Sequence, residues 1–214
     1  MKKSILFDLD GTLTDSGEGI INSVIPALEH FGIPVPSKEE LRVFVGPPLH
    51  DTFVKFGVPE DMADEAIRIY RTRYIPIGFF ENSPYPGIQE LLQKLHQDGF
   101  RLFVATSKPE FMAVQVLEHF NLAHYFTRIC GATTDRSRST KDAVIAYLLE
   151  QLSGNDPIVM VGDTKFDVLG AAVHGIPCIG VSWGYGTRQE LSESGACTIV
   201  DTPEELYEYV NGIL

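Results

Sequence analysis

The chain has 214 residues, of which 44% are hydrophobic and 21% charged, and its formal net charge is −12. This composition is typical of globular proteins and excludes a fibrous or wholly disordered chain. An acidic chain without runs of lysine or arginine is not expected to bind nucleic acid or an anionic membrane surface. Because no apolar run approaches the roughly 18 residues of a membrane span, we expect a cytoplasmic protein.

Short apolar runs predict buried strands, and apolar residues at helical spacing lie between them. In chain order, the predicted strands are residues 5–7, 102–105, 128–131, 158–161, 178–181 and 197–200, and helical patterns cover residues 88–95, 114–120 and 144–149. Strand, helix and strand in succession favour a parallel sheet with helices on both faces. The predicted fold class is therefore α/β, with a Rossmann-like parallel sheet as its core.

One long segment interrupts this alternation. Residues 17–83 contain helical patterns and no convincing strand. We therefore expect an all-helical domain of residues 17–83, inserted after the first strand of a core that consists of residues 1–16 and 84–214.

Within the insertion, several residues predict where helices begin, bend or end. Pro26 lies inside the first apolar stripe, where we expect a kink or an interruption. Ser37 and Glu40 have the spacing of a capping box, and Pro59 opens a further helical pattern. Residues 75–87, rich in proline, glycine and aromatic residues, are interpreted as a hinge or linker.

Polar side chains directly follow several predicted strands. Ligands bind beyond the carboxyl ends of the strands in an open α/β sheet, so these residues are candidates for one common site. The candidates are Asp8, Asp10, Gly11 and Thr12 after the first strand, Thr106, Ser107 and Lys108 after the second, and Asp163 and Asp167 after residues 158–161. Carboxylates held close together repel one another and raise each other's pKa. A hard cation, most simply Mg²⁺, would remove that cost through oxygen ligands.

These motifs resemble those of a known family. Residues 8–16 (DLDGTLTDS) closely resemble motif I of the haloacid dehalogenase (HAD) superfamily, residues 106–109 (TSKP) are similar to its motif II, and residues 162–167 (GDTKFD) to its motif IV. The resemblance covers the whole chain in the expected order, and the insertion resembles the family's helical cap of the C1 type. With residues 46–49 (GPPL) in that cap, the chain looks most like phosphoglycolate phosphatases and related nucleotidases and pyrophosphatases.

The resemblance implies catalytic and metal-binding roles. Asp8 would attack phosphorus and form an aspartyl phosphate. Asp10 would protonate the leaving oxygen and then take a proton from the water that hydrolyses the intermediate. The carboxylates of Asp8 and Asp163 and the backbone carbonyl of Asp10 would hold Mg²⁺. Asp167 would be a further ligand or, as we expect, a partner behind the ligands, acting through water or a lysine.

The resemblance also implies phosphate-binding residues. Thr106 and the amide of Ser107 would bind phosphoryl oxygens, and Lys108 is a further candidate for this role. The family's motif III lysine would be Lys141, although no prolines follow it as they do in many relatives. Lys108 or Lys165 could supply that charge instead.

Some residues have two interpretations. His50 follows the loop that begins at Gly46, so both are candidates for substrate contact, but a solvated loop histidine is the alternative. Trp183 and Tyr185 could border the site, although packing is the simpler interpretation for large aromatic side chains.

The sequence therefore predicts a Mg²⁺-dependent phosphatase that acts on a small phosphorylated metabolite, of the phosphoglycolate or nucleoside monophosphate type. A phosphomutase of the β-phosphoglucomutase type and a pyrophosphatase are the enzymatic alternatives. A phospho-signalling receiver module is disfavoured, because receivers have about 120 residues and no helical insertion, and a non-catalytic HAD-like protein would usually lack one of the carboxylates. We expect a monomer or a homodimer that binds neither nucleic acid nor membranes.

Overall fold

The computed structural model of the protein describes residues 3–135, 137–152 and 156–213. The described chain divides into two compact units, with the boundaries between Thr14 and Asp15 and between Ser83 and Pro84. None of the helices in these ranges is long and apolar enough to cross a membrane.

The regular elements are as follows. The strands are β1 (Ser4–Phe7), β2 (Thr14–Asp15), β3 (Ser83–Pro84), β4 (Arg101–Pro109), β5 (Phe126–Ala132), β6 (Ile158–Gly162), β7 (Cys178–Val181) and β8 (Thr198–Val200). The α-helices are α1 (Gly17–His30), α2 (Leu49–Lys55), α3 (Ala63–Tyr74), α4 (Ile88–Gln97), α5 (Glu110–His119), α6 (Lys141–Leu149), α7 (Lys165–Ala172), α8 (Arg188–Glu193) and α9 (Pro203–Ile213). Short 3₁₀ helices are formed by Glu40–Phe44, Glu60–Met62, Gly78–Phe80 and Ala123–Tyr125.

The first unit is built on a parallel sheet. Within the described ranges the sheet has six strands in the order β5-β4-β1-β6-β7-β8, and every pair is parallel. β1 lies between β4 and β6, with Phe7 opposite Val104 and Val161. The chain therefore leaves β1 toward one edge and later returns to its other side, which is the arrangement that creates a ligand crevice at the strand ends.

Burial explains why the strands read as short apolar runs. Side chains from both faces of the sheet are covered by helices, so the strands need no alternation of polar and apolar residues. Leu6, Phe103 and Met160 of the central strands pack into one buried cluster with Val144 of α6 and Val168 of α7. The predicted α/β class with a parallel sheet is confirmed.

β4 differs from the prediction, because it continues to Pro109 instead of ending near residue 105. Its pairing with β5 shifts register between Ala105 and Pro109. Gly131 of β5 makes the close pairing possible, since a β-carbon there would lie 2.5 Å from the carbonyl oxygen of Lys108. Residues 106–108 consequently belong to a strand and not to a loop.

The second unit contains α1, α2, α3 and the 3₁₀ helices between and after them. α1 runs without interruption through Pro26, so the predicted interruption is wrong. The proline removes one backbone donor, and the burial of neighbours such as Val24 and Leu28 outweighs that loss. Ser37 and Glu40 exchange the hydrogen bonds of a capping box, at 3.0 and 3.3 Å, but the helix that follows is 3₁₀ and not α.

The segment before β3 is anchored to α1. The amide of Gly19 donates to the carbonyl of Glu81 at 3.2 Å, and the Glu81 carboxylate forms two hydrogen bonds with Arg73 at 2.8 and 2.9 Å. Gly19 and Gly78 touch so closely that a β-carbon on Gly19 would lie 1.9 Å from the Gly78 carbonyl oxygen. Within the predicted hinge or linker of residues 75–87, residues 78–81 therefore pack against α1, and the boundary between the two units follows at Ser83 and Pro84.

Candidate active site

The predicted site residues of the first unit meet at the carboxyl ends of β1, β4 and β6. Asp8 follows β1 directly, and its amide donates to the carbonyl of Val161 at 2.9 Å. Asp163 follows β6, and Thr106 lies in β4. Because β1 is flanked by β4 and β6, parallel pairing alone brings these three residues to one edge of the sheet.

Three carboxylates form a compact buried cluster. Ligand oxygens of Asp8, Asp163 and Asp167 all lie within 4.8 Å of one another. The cluster includes Asp167, which the sequence placed behind the metal ligands. It does not include the carboxylate of Asp10, whose predicted contribution to the metal site is its backbone carbonyl.

Lys141 pairs with two of these three carboxylates. Its ammonium forms ion pairs with Asp8 Oδ1 at 2.8 Å and Asp167 Oδ1 at 2.7 Å, and it donates to the carbonyl of Ala105 at 2.9 Å. Three donors thus meet three acceptors. Burial by itself would lower the pKa of Lys141, but the charges of Asp167 and Asp8 outweigh burial and raise it above its ordinary value. The resemblance implies that the motif III lysine pairs with the nucleophile, and Lys141 lies 2.8 Å from Asp8, the predicted nucleophile.

Asp10 has a different partner. The ammonium of Lys108 donates to both oxygens of the Asp10 carboxylate, at 3.0 and 2.9 Å, and both side chains are buried. Lys108, a predicted candidate for phosphate binding, therefore forms an ion pair with Asp10 in this structure. Lys165, the other alternative for motif III, pairs instead with Glu190 at the surface.

The remaining carboxylates are fixed by hydrogen bonds from the protein. Asp163 accepts the Thr12 hydroxyl on Oδ1 at 3.2 Å and the Tyr185 amide on Oδ2 at 2.8 Å. Asp167 accepts both the amide and the hydroxyl of Thr164 on Oδ2, at 3.0 and 2.9 Å, as part of the capping box that begins α7. Sequence reasoning missed the amide of Tyr185, for which the flanking glycines of the Gly-Tyr-Gly run were the available signal.

The cluster is electrostatically unbalanced. Burial, followed by the charge of Asp167, raises the pKa of Asp8 to about 7 although Lys141 opposes the shift. Burial and the charges of Asp167 and Asp8 raise the pKa of Asp163 well above its ordinary value. Hard oxygen donors under this mutual repulsion suit a divalent cation such as Mg²⁺.

The other predicted residues occupy the following positions. Thr106 is buried, and its hydroxyl accepts the amide of Lys108 at 3.2 Å, while Ser107 is half-buried. Gly46 and His50 belong to the second unit. Gly46 has a φ of 99°, which favours glycine, and His50 lies in the first turn of α2 with its Nδ1 3.2 Å from Asp51 Oδ1.

Comparisons with known proteins agree with this arrangement. Residues 5–181 match the family model described as haloacid dehalogenase-like hydrolase. The chain is 46% identical over 208 residues to the tyrosine-protein kinase PtkA of Mycobacterium tuberculosis, covering 95% of this chain and 71% of PtkA. It is 43% identical over 190 residues to a 5'-nucleotidase of Pseudomonas aeruginosa, covering 88% of this chain and 86% of that protein.

More distant and structural relatives complete the comparison. A phosphoglycolate phosphatase of Vibrio parahaemolyticus is 29% identical over 219 residues, covering 97% of this chain and 96% of that protein. The crystal structure of a predicted phosphatase from Clostridium acetobutylicum superposes with a TM-score of 0.95 at 44% identity, covering 99% of both chains. The protein described here therefore belongs to the haloacid dehalogenase-like hydrolase family and is a hydrolase of the phosphatase type.

Proposed function

We propose that this protein is a Mg²⁺-dependent phosphatase that hydrolyses a small phosphorylated metabolite through an aspartyl phosphate on Asp8. The observation that carries the proposal is the charge balance of the buried site. With all six groups ionised, four buried carboxylates (Asp8, Asp10, Asp163 and Asp167) and two buried lysines (Lys108 and Lys141) leave a formal excess of two negative charges. One divalent cation would balance that excess.

Asp8 would be the nucleophile. In the first step an oxygen of Asp8 forms a bond to phosphorus, and the bond between phosphorus and the leaving oxygen breaks. Lys141 holds Asp8 Oδ1 at 2.8 Å, so the carboxylate is already oriented before substrate binds. Thr106 and the amide of Ser107 would bind the phosphoryl oxygens as charge is redistributed.

Asp10 would transfer protons in both steps. Protonated Asp10 would give its proton to the leaving oxygen, and the resulting carboxylate would then accept a proton from the water that attacks the aspartyl phosphate, which restores the protonated form. The second step releases phosphate and restores Asp8. Lys108 contacts both oxygens of Asp10 and so orients its side chain.

Asp8, Asp163 and the backbone carbonyl of Asp10 would hold Mg²⁺. Bound there, the ion would offset the negative charge of the carboxylates and of the phosphoryl group. Asp167 contacts Lys141 and Thr164 at once, which favours a role as an anchor for the lysine over direct coordination.

Nucleoside monophosphates are the first substrates to test. The identity to the 5'-nucleotidase is 43%, against 29% for the phosphoglycolate phosphatase. Phosphoglycolate is the second candidate. The insertion resembles a cap of the C1 type, and because such a cap partly encloses the active site, it favours small esters of either kind.

Phosphate release from a panel of esters, with Mg²⁺ and with EDTA, tests the proposal. The panel contains nucleoside monophosphates, phosphoglycolate, pyrophosphate, sugar phosphates and p-nitrophenyl phosphate. Metal-dependent release is expected, with a preference that identifies the substrate. Interconversion of sugar phosphates without release would favour a mutase, and labelling of a tyrosine peptide from ATP would favour the activity for which PtkA is named. Either result, with no ester hydrolysed, would refute the proposal.

A further inference from the structure

The loop that follows β7 encloses the carboxylate of Asp163. We call residues 182–187 the β7 loop; it leaves the same edge of the sheet, because β7 pairs with β6 and Gly180 lies opposite Gly162. The backbone amide of Tyr185 in this loop donates to Asp163 Oδ2 at 2.8 Å. One oxygen of a proposed metal ligand is therefore oriented by a backbone group of a strand connection that carries none of the family motifs.

A second contact ties the β7 loop to the turn after β1. The indole Nε1 of Trp183 donates to the carbonyl oxygen of Thr12 at 3.0 Å. The hydroxyl of the same threonine donates to the other oxygen of Asp163, at 3.2 Å. Trp183, Thr12, Asp163 and Tyr185 consequently form a closed set of contacts, in which both oxygens of Asp163 are held and the two donors are themselves linked.

Close packing of glycines against Asp163 leaves the β7 loop little freedom. A β-carbon on Gly184 would lie 2.3 Å from Asp163 Cβ and 2.4 Å from the carbonyl oxygen of Gly11. A β-carbon on Gly186 would lie 2.0 Å from the backbone oxygen of Asp163. Such approaches are possible only for glycine, so the Gly-Tyr-Gly run is explained by contact with Asp163.

We propose that the β7 loop positions the metal-binding carboxylate of Asp163, and that Trp183 fixes the loop for this purpose. The inference rests on the proposed function, since it assigns the metal to Asp163. Groups that hydrogen-bond to a metal ligand strongly affect the affinity for the metal, because a carboxylate that is already oriented loses little conformational freedom when the ion binds. Trp183 is thus a positioning residue and not a catalytic one.

Calorimetric titration of the 214-residue protein with Mg²⁺ tests the inference. Trp183→Phe keeps an aromatic ring and removes the indole donor, and Gly184→Ala adds a methyl group against Asp163. Tyr207→Phe is the matched control, since it deletes a 2.7 Å hydrogen bond to Asp98 that has no contact with Asp163. We expect Trp183→Phe to weaken Mg²⁺ binding about 10-fold, with Tyr207→Phe unchanged.

Activity and thermal stability distinguish positioning of Asp163 from a purely structural role of Trp183. If Trp183 acts through Asp163, the Mg²⁺ concentration that gives half-maximal activity should rise with the calorimetric Kd, while kcat at saturating Mg²⁺ stays near that of the wild type. The melting temperature in EDTA should fall no more for Trp183→Phe than for the control. Should Gly184→Ala fail to fold, Trp183→Phe decides the question.

The outcomes separate this inference from the proposed function. If the wild type binds Mg²⁺ and Trp183→Phe binds it with equal affinity, the positioning role is refuted and the proposed function stands. If the wild type binds no divalent cation, the metal assignment and the positioning role both fail.

Discussion

Replacement of Lys141 by methionine should destabilise the metal-free protein far more than an ordinary loss of an ion pair. Lys141 and Asp8 have side chains only 4% and 5% exposed, and Asp167 is fully buried. Breaking a buried pair leaves an uncompensated charge and costs about 3–5 kcal/mol of unfolding free energy. Methionine matches the aliphatic stem, so the lost charge and not a cavity accounts for the effect.

The surface pair of Lys165 and Glu190 provides the control. Its atoms are 3.2 Å apart, but both side chains are 45% exposed. Solvent screens such pairs, and Lys165→Met should cost less than about 1 kcal/mol. Chemical denaturation in EDTA compares the two variants directly, and phosphate release measures the accompanying loss of activity, which should be severe for Lys141→Met alone.

A double variant assigns the cost to the unpaired charge. Replacing Asp167 by asparagine in the Lys141→Met background removes one orphaned carboxylate, while an amide oxygen still accepts from Thr164. We expect recovery of about 1–3 kcal/mol, the range typical of coupled neighbours. Equal destabilisation by Lys141→Met and Lys165→Met would refute the reasoning, as would a double variant less stable than Lys141→Met.

Three further predictions concern the metal, the nucleophile and the second unit. Burial raises the folded-state pKa of Asp8 from 3.8 to about 7, so this group makes the metal-free protein less stable as pH rises between those values. The rise in melting temperature that Mg²⁺ produces should therefore be larger at pH 7.5 than at pH 5. An equal rise at both pH values would contradict the assignment of Asp8 as a metal ligand. Asp8→Asn should lower kcat at least about a thousandfold while circular dichroism shows an intact fold, and retained metal-dependent turnover would remove Asp8 as nucleophile. Gly19→Ala would place a methyl carbon 1.9 Å from the Gly78 carbonyl oxygen and should cost about 1–3 kcal/mol in thermal unfolding, whereas Gly212→Ala, with nothing within 4 Å, should be neutral or slightly stabilising.

The parallel sheet was predictable because its strands are buried on both faces. Residues 158–161 and 178–181 read as continuous apolar runs, and the structure has strands at Ile158–Gly162 and Cys178–Val181. Tertiary contacts outweighed local preference at two places. α1 continues through Pro26, and residues 78–81 pack against α1 although their composition is typical of a linker.

The resemblance implied that Lys141 pairs with Asp8, but the partner of Lys108 could not be predicted from the sequence. Lys108 follows a predicted phosphate-binding threonine, so local sequence favoured a phosphate ligand, yet its ammonium reaches Asp10. Lys141 stands 133 positions from Asp8 and reaches it across the sheet. Which lysine meets which carboxylate depends on distances of a few ångströms between strand ends, and hydrophobic periodicity carries no such information.

The α/β class, the family resemblance and the set of polar residues at the strand ends were all readable from the sequence, because burial patterns and short motifs are local properties of the chain. The three-dimensional fold was needed to show that Asp167 clusters with Asp8 and Asp163, that Lys108 pairs with Asp10, and that the β7 loop packs against Asp163. These are contacts between segments far apart in the chain. They exist because the parallel sheet sets its strand ends side by side, and because glycines leave room for the backbone to approach.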